Sequence, residues 1–291
     1  MDKERKIMKE VSFKKIDVFT QTRYKGNPVA VIFEGDNFST NEMQMIANWM
    51  NLSETTFICK PTNPLADYKL RIFSPQSELS FAGHPTVGSA FAYLQKNPNK
   101  KTKKTLIQEC GMGLIPLSLD NEKIYFSLPK SNISDVSEQA VKQFANALDI
   151  STEHILTGAT IDIGASWITL QLVNGEMVKT IQPNMQEIAD LTSHVTGLTI
   201  FGFNENTNSA DIEVRSFAPN EGANEDPVCG SGNGCVAILI QKEGLFAQKN
   251  YVARQGICLG RDGRIYVEFR ETGEILVGGS AVECVDGVLK I

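Results

Sequence analysis

The sequence predicts an α+β protein built from two homologous α/β halves, and three observations carry that expectation. Arg71-Ile72-Phe73-Ser74-Pro75 recurs as Arg215-Ser216-Phe217-Ala218-Pro219. Each copy follows a strand-like alternation, Asp67 to Leu70 and Asp211 to Val214. Each also precedes a glycine turn that opens an apolar, helix-forming stretch: Ala82-Gly83-His84-Pro85-Thr86-Val87-Gly88 in one half and Cys229-Gly230-Ser231-Gly232-Asn233-Gly234-Cys235 in the other. Three elements in one order identify a duplication rather than a chance match between common α/β patterns.

The other elements follow in chain order. Gly26 to Phe33 and Gly164 to Gln171 are glycine turns leading into β-branched or aromatic runs, which predicts a strand in each half. Thr40 to Asn51 places Met43, Ile46, Ala47 and Met50 on one helical face. Pro183 to Leu191 is its expected counterpart. Strands are expected at Thr105–Gln108, Lys123–Leu128, Tyr251–Gln255, Arg264–Phe269 and Glu274–Val277, with Gly279–Ile291 alternating like a last strand. The halves are expected to cover residues 11–130, with the C-terminal strand 281–291, and residues 131–280, the boundary falling near Ser131 to Asp135.

Composition narrows the function. A 42% hydrophobic fraction is ample for a core in a chain of 291 residues. The net charge of -6 argues against a nucleic-acid binder. The one dense basic run, Lys100-Lys101-Thr102-Lys103-Lys104, reads as a solvated loop. Met1 to Glu10 mixes charges without an apolar stretch, so neither a signal peptide nor an anchor is expected, and no apolar run reaches the ~18 residues of a membrane helix. A cytoplasmic protein is expected. Its six scattered cysteines are expected to be thiols. No pair has metal-ligand spacing and the three histidines do not cluster with them, so no metal is expected.

If the halves face each other about a pseudo-twofold axis, the two glycine-rich helix starts close on one cleft. A helix N-terminus offers unpaired N–H groups and the positive end of the dipole, so the expected ligand is a small acidic metabolite. Glu54 lies where a helix ends and a strand begins, with Thr56 and Ile58 expected on its face. It is either a proton carrier beside an apolar run or a surface glutamate. His84, before Pro85, is either a substrate-binding group, kept neutral by the helix end, or a packing residue. Asp226 either accepts hydrogen bonds from a substrate or satisfies N–H groups in its own turn. The Gly230-x-Gly232-x-Gly234 spacing fits no dinucleotide fingerprint, and no phosphate-loop lysine accompanies it.

Leu52-Ser53-Glu54-Thr55-Thr56-Phe57, Phe81 to Gly88, Asp226 to Ser231, and Asp17 to Thr20 followed by Gly26-Asn27-Pro28-Val29-Ala30-Val31 together resemble the signature segments of the PhzF-like phenazine-biosynthesis isomerases. The resemblance implies the diaminopimelate epimerase-like fold, a sheet wrapped round a central helix in each half, and a homodimer. It also implies a cofactor-independent isomerase, with Glu54 as general base and then acid. His84, Asp226 and Ser231, the amides of Gly83 and Gly230, and Asn27 are implied as substrate-binding groups. One departure stands out. Related epimerases and proline racemases use two cysteines at the helix starts, whereas this chain has Ala82 and Cys229, the second where PhzF-like isomerases commonly carry threonine. Because a helix N-terminus favours a thiolate, Cys229 is either a second acid/base beside Glu54, giving a racemase or epimerase, or a small turn residue. A metabolite-binding protein without catalysis is the third reading.

Overall fold

A computed structural model of the chain describes residues 10–206 and 209–291. The segment 1–9, expected to be neither signal nor anchor, lies outside the described residues. The chain forms two compact units. One comprises Pro28–Ile124 with the terminal stretches up to Val18 and from Ala281 to Ile291, and the other comprises Phe19–Asn27 with Tyr125–Ser280.

The first unit begins with β1 (Glu10–Val18) and β2 (Asn27–Ile32), followed by α1 (Thr40–Met50), β3 (Thr55–Cys59), β4 (Tyr68–Phe73), β5 (Glu78–Leu79), α2 (Gly83–Lys96), β6 (Thr105–Cys110) and β7 (Gly113–Asp120). Pairing runs parallel between β2 and β3, antiparallel between β3 and β4, parallel between β4 and β6, and antiparallel between β6 and β7. Helix α1 starts at a reciprocal capping box, Ser39 with Glu42, and ends at Asn51 in the left-handed region (φ 49°). It buries Met43 and Ala47 against Val11, Ile32, Phe38, Phe57 and Phe73. Helix α2 buries residues all round, from His84 through Ala90 and again at Ala92 and Leu94. A helix apolar on every side belongs inside a core, and the sheet wraps it.

β8 (Lys123–Ser127) spans the junction, and the second unit continues with β9 (Asn132–Asp135), α3 (Glu138–Ala147), β10 (Ile155–Asp162), β11 (Ser166–Leu172), α4 (Gly175–Thr180), α5 (Met185–Leu191), β12 (Gly197–Phe203), β13 (Ile212–Ala218), β14 (Ala223–Asp226), α6 (Gly230–Glu243), β15 (Asn250–Gln255), β16 (Gly263–Phe269) and β17 (Ile275–Gly279). The chain then returns to the first unit as β18 (Ala281–Lys290), antiparallel to β1 with a bulge between Lys15 and Ile16. In the second unit β11–β12 is parallel, β12–β13 antiparallel, β13–β15 parallel and β15–β16 antiparallel. That is the pairing sequence of the first unit again. Helix α6 is the buried centre, with Gly232 to Ile240 all buried, while α3, α4 and α5 pack around Phe144, Leu170, Val178, Ile188 and Phe217.

Two expectations need correction. Glu54 precedes β3 rather than sharing one of its faces, and all five residues of β3 are buried because α1 and α2 cover both sides. The basic run is not wholly solvated either. Lys100 and Lys103 both reach Asp67, at 2.9 and 2.5 Å, whose side chain is only 4% exposed. Burying that carboxylate requires partners, and the lysines supply them. Among the described residues no helix is long and apolar enough to cross a membrane.

Candidate active-site residues

The first unit brings Glu54 and His84 together. β3 pairs with β4 so that Thr55 faces Phe73, which puts Glu54 at the sheet end where the chain leaves β4 for the loop before α2. His84 stands in the first turn of α2, with Gly83 before it and Ala82 as an N-cap that supplies no side-chain hydrogen bond. The imidazole Nδ1 lies 2.8 Å from the Glu54 Oε2, with the histidine side chain 5% and the glutamate 18% exposed. The contact orients the imidazole ring against the carboxylate. The helix is fixed to the sheet by buried hydroxyls: Thr56 Oγ1 lies 2.8 Å from Ser89 Oγ and donates to the Ala30 carbonyl.

The second unit gathers Asn27, Asp226, Cys229, Gly230 and Ser231. Asn27 Nδ2 donates to Asp226 Oδ1 and to the Val228 carbonyl, both at 3.0 Å, and Val228 N–H donates to the same Asp226 oxygen at 2.9 Å. The turn-satisfying role considered for Asp226 is therefore present. Asn27 reaches it because residues 19–27 pack with this unit: Asp262 N–H donates to the Lys25 carbonyl, and Arg264 N–H to that of Phe19.

Cys229 is the N-cap of α6. Its sulfur accepts from Gly232 N–H at 3.2 Å and lies 3.5 Å from Ser231 Oγ, and its own N–H donates to Gln255 Oε1. Burial, followed by the nearby charge of Asp226, pushes this thiol well above its usual range. The lowered value expected for a thiol at a helix N-terminus is thus reversed, because the group is 4% exposed and desolvation outweighs the helix end. Gly232 has no room for a side chain, since a Cβ there would lie 2.5 Å from Ser216 Oγ.

The structure adds residues that the sequence reading did not single out as functional. Trp167 donates its indole N–H to Ser231 Oγ at 3.0 Å. Gln255 bridges Cys229 and Asn233. Both are visible only through tertiary contact. The six cysteines are all free thiols. Among the described residues no group of three or more His, Cys, Asp or Glu side chains is placed to hold a metal.

Residues 16–287 match the family model described as phenazine biosynthesis-like protein, PhzC-PhzF. The chain is 41% identical to Antisense-enhancing sequence 1 of Schizosaccharomyces pombe, over 96% of this chain and 99% of that protein. It is 29% identical to the trans-2,3-dihydro-3-hydroxyanthranilate isomerase of Pseudomonas aeruginosa, over 92% of each. Its fold matches the crystal structure of a PhzF-family phenazine biosynthesis protein from Bacillus anthracis with a TM-score of 0.84 and 22% identity, covering 98% of this chain and 100% of that one. Glu54 beside His84, in a duplicated α/β scaffold of this architecture, therefore stands in a chain that belongs to the PhzF-like, phenazine-biosynthesis-like family of isomerases.

Proposed function

We propose that the protein shifts a proton within a small carboxylate-bearing metabolite, with Glu54 as base and then acid. The observation that carries this reading is the 2.8 Å contact between the Glu54 carboxylate and His84 Nδ1 at an uncapped helix start. A carboxylate held in place by an imidazole can accept a proton and release it again.

On this reading Glu54 removes a proton from a carbon alpha or vinylogous to the substrate carboxylate. The C–H electron pair moves into the conjugated system, and the protonated Glu54 delivers the proton to a second carbon. Atoms and charge are conserved, and the carboxylate is restored. The amide of Gly83 at the start of α2, in the unit that carries Glu54, holds the substrate carboxylate, since N–H groups at helix starts favour anions. In the second unit the Gly230 amide, with Asn27, Asp226 and Ser231, supplies hydrogen-bonding groups for an anionic ligand.

A second acid/base is not assigned to Cys229. Its sulfur caps α6, and burial favours the protonated thiol. One group acting twice produces a positional isomer, whereas racemisation needs two groups on opposite faces of a carbon.

Glu54→Gln, followed by NMR in deuterated solvent with trans-2,3-dihydro-3-hydroxyanthranilate as the first candidate substrate, tests the role of Glu54. Turnover is expected to fall by about 10²–10⁴-fold, the range for losing a general acid–base group, while binding persists. Turnover in that variant equal to the parent's would overturn the assignment.

A further inference from the structure

The Arg-x-Phe-x-Pro repeat that reveals the duplication has no part in the proposed chemistry, yet each copy of its arginine makes the same unusual set of contacts. Arg71 binds Glu78 in two-pronged fashion, Nε to Oε1 and Nη2 to Oε2, both at 2.7 Å. Arg215 binds Glu225 the same way, at 3.0 and 2.9 Å. Each guanidinium also lies over the ring of the phenylalanine two residues on, at 5.2 Å for Phe73 and 4.9 Å for Phe217. The second loop is three residues longer than the first, yet Glu78 and Glu225 each stand five residues before the glycine that opens the helix. The glutamate therefore keeps its register with the helix start, not with the arginine.

We propose that Arg71–Glu78 and Arg215–Glu225 are a duplicated clamp, each pair a positioning device that holds the loop leading to a substrate-binding helix start. β4 ends at Phe73, and the chain must turn through residues 74–82 to deliver Gly83 and His84. Glu78 in that turn is tied back to the strand, and Arg71 also reaches Thr40 at the start of α1 at 2.9 Å. In the second unit Glu225 is the immediate neighbour of Asp226 and four residues from Cys229. Arg215 is anchored further by donating to the carbonyls of Val178 and Ile181, at 3.2 and 2.7 Å. A planar guanidinium with both ends occupied fixes position and orientation together, which a lysine cannot do.

The two clamps differ in setting. Arg215 and Glu225 are 5% and 7% exposed, whereas Arg71 and Glu78 are 23% and 39% exposed. The loop that delivers His84 is accordingly the more readily released of the two, because water and salt screen its clamp.

The inference that the clamps serve a substrate rests on the isomerase reading above, whereas the holding of the loops does not. Amide hydrogen exchange on the full chain without ligand tests the latter. Arg71→Gln removes the exposed clamp and leaves the buried one intact. Exchange across residues 74–87 is expected to rise about three- to fivefold, in keeping with an exposed ion pair, with β6–β7 unchanged. The exchanged pair, Arg71→Glu with Glu78→Arg, is expected to recover most of the protection. Glu225→Gln is expected to produce a larger rise confined to residues 219–234. Unchanged exchange in these loops, or a rise spread equally over the unit without recovery in the exchanged pair, would overturn the clamp.

Kinetics with trans-2,3-dihydro-3-hydroxyanthranilate give the functional arm. KM in Arg71→Gln is expected to rise more than kcat falls, and the exchanged pair to restore it. A kcat effect without a KM effect would refute positioning of a binding element. Absence of turnover by the parent protein would count against the isomerase reading with this compound, while the exchange data would still decide whether the loops are held.

Discussion

The two units repeat one strand order, but only the first carries a carboxylate, Glu54, at the sheet end beside its helix start. Phe57 faces Arg71 across β3 and β4, and Ile200 faces Arg215 across β12 and β13, so Glu54 corresponds to Gly197. No side chain fits there. A Cβ on Gly197 would lie 2.1 Å from the Phe217 carbonyl oxygen and 2.8 Å from the Trp167 ring. His84 in the first helix start is matched by Ser231 in the second, and the uncapped Ala82 by the capping Cys229. Duplication thus supplied two glycine-rich helix starts, while the carboxylate–histidine pair stands on one side only. The scaffold is doubled and the proposed chemistry is single.

The same contrast appears in the charges. Lys69 and Glu109 on β4 and β6 lie 3.6 Å apart, and the equivalent positions on β13 and β15 carry the reversed pair, Glu213 and Arg254, at 2.7 Å. Hydrogen bonds from the Thr62 hydroxyl, followed by those from the Asn63 and Thr62 amides, pull the Glu109 carboxyl down to about 2, whereas burial pushes Glu213 up. Equivalent places in a duplicated fold need not share electrostatics, because burial depth differs.

The largest expected difference between the halves is in the arginine pairs. Arg215→Met should lower unfolding free energy by about 3–5 kcal/mol, since it leaves a buried glutamate without its partner. Arg71→Met should cost at most about 1 kcal/mol because its pair faces solvent. Equal midpoint shifts in urea would break this contrast. Gly197→Ala comes next, at about 1–3 kcal/mol for forcing a methyl group against backbone, measured by the same denaturation. An unaffected midpoint would show that this position has room for a side chain after all.

Smaller effects concern Cys229. Because Cys229→Ser keeps an acceptor at the N-cap, it should retain turnover within a few fold, whereas Cys229→Ala should lose about 0.5–2 kcal/mol of stability. A loss of turnover in the serine variant as large as that in Glu54→Gln would instead make the thiol a second acid/base. The smallest effect is a pH dependence. Glu109 has its folded value below the unfolded one, so its stabilisation is present above about pH 4.5 and lost as pH falls towards about 2. The melting temperature of Glu109→Gln should accordingly lie below the parent's at neutral pH and converge with it across that window. A gap that persists below pH 2 would assign the effect to packing instead of charge.

Much of the architecture was legible in advance. Glycine turns, β-branched runs and an apolar stretch after each turn located β2, β11, α2 and α6, because these signals are local. The positions of β10 and β12 and of helices α3 and α4 were not singled out. The short α4, for example, is held by its Asn174 cap and by Val178 in the core, and so by packing more than by periodicity. Glu54, His84, Asp226 and Ser231 were named from motif and resemblance. Trp167 and Gln255 were not, since each acts on a residue distant in sequence.

By itself the sequence determined the duplication, the two glycine-rich helix starts and the asymmetry between Ala82 and Cys229. These are matters of residue identity and spacing. Tertiary structure alone decided that Glu54 meets His84, that residues 19–27 carry Asn27 to Asp226, and that Cys229 is a capping thiol kept protonated. Each of these depends on burial and on contacts between segments far apart in the chain. Desolvation at Cys229 is the clearest case: the helix start promised a thiolate, and the depth at which that start is buried reversed the sign.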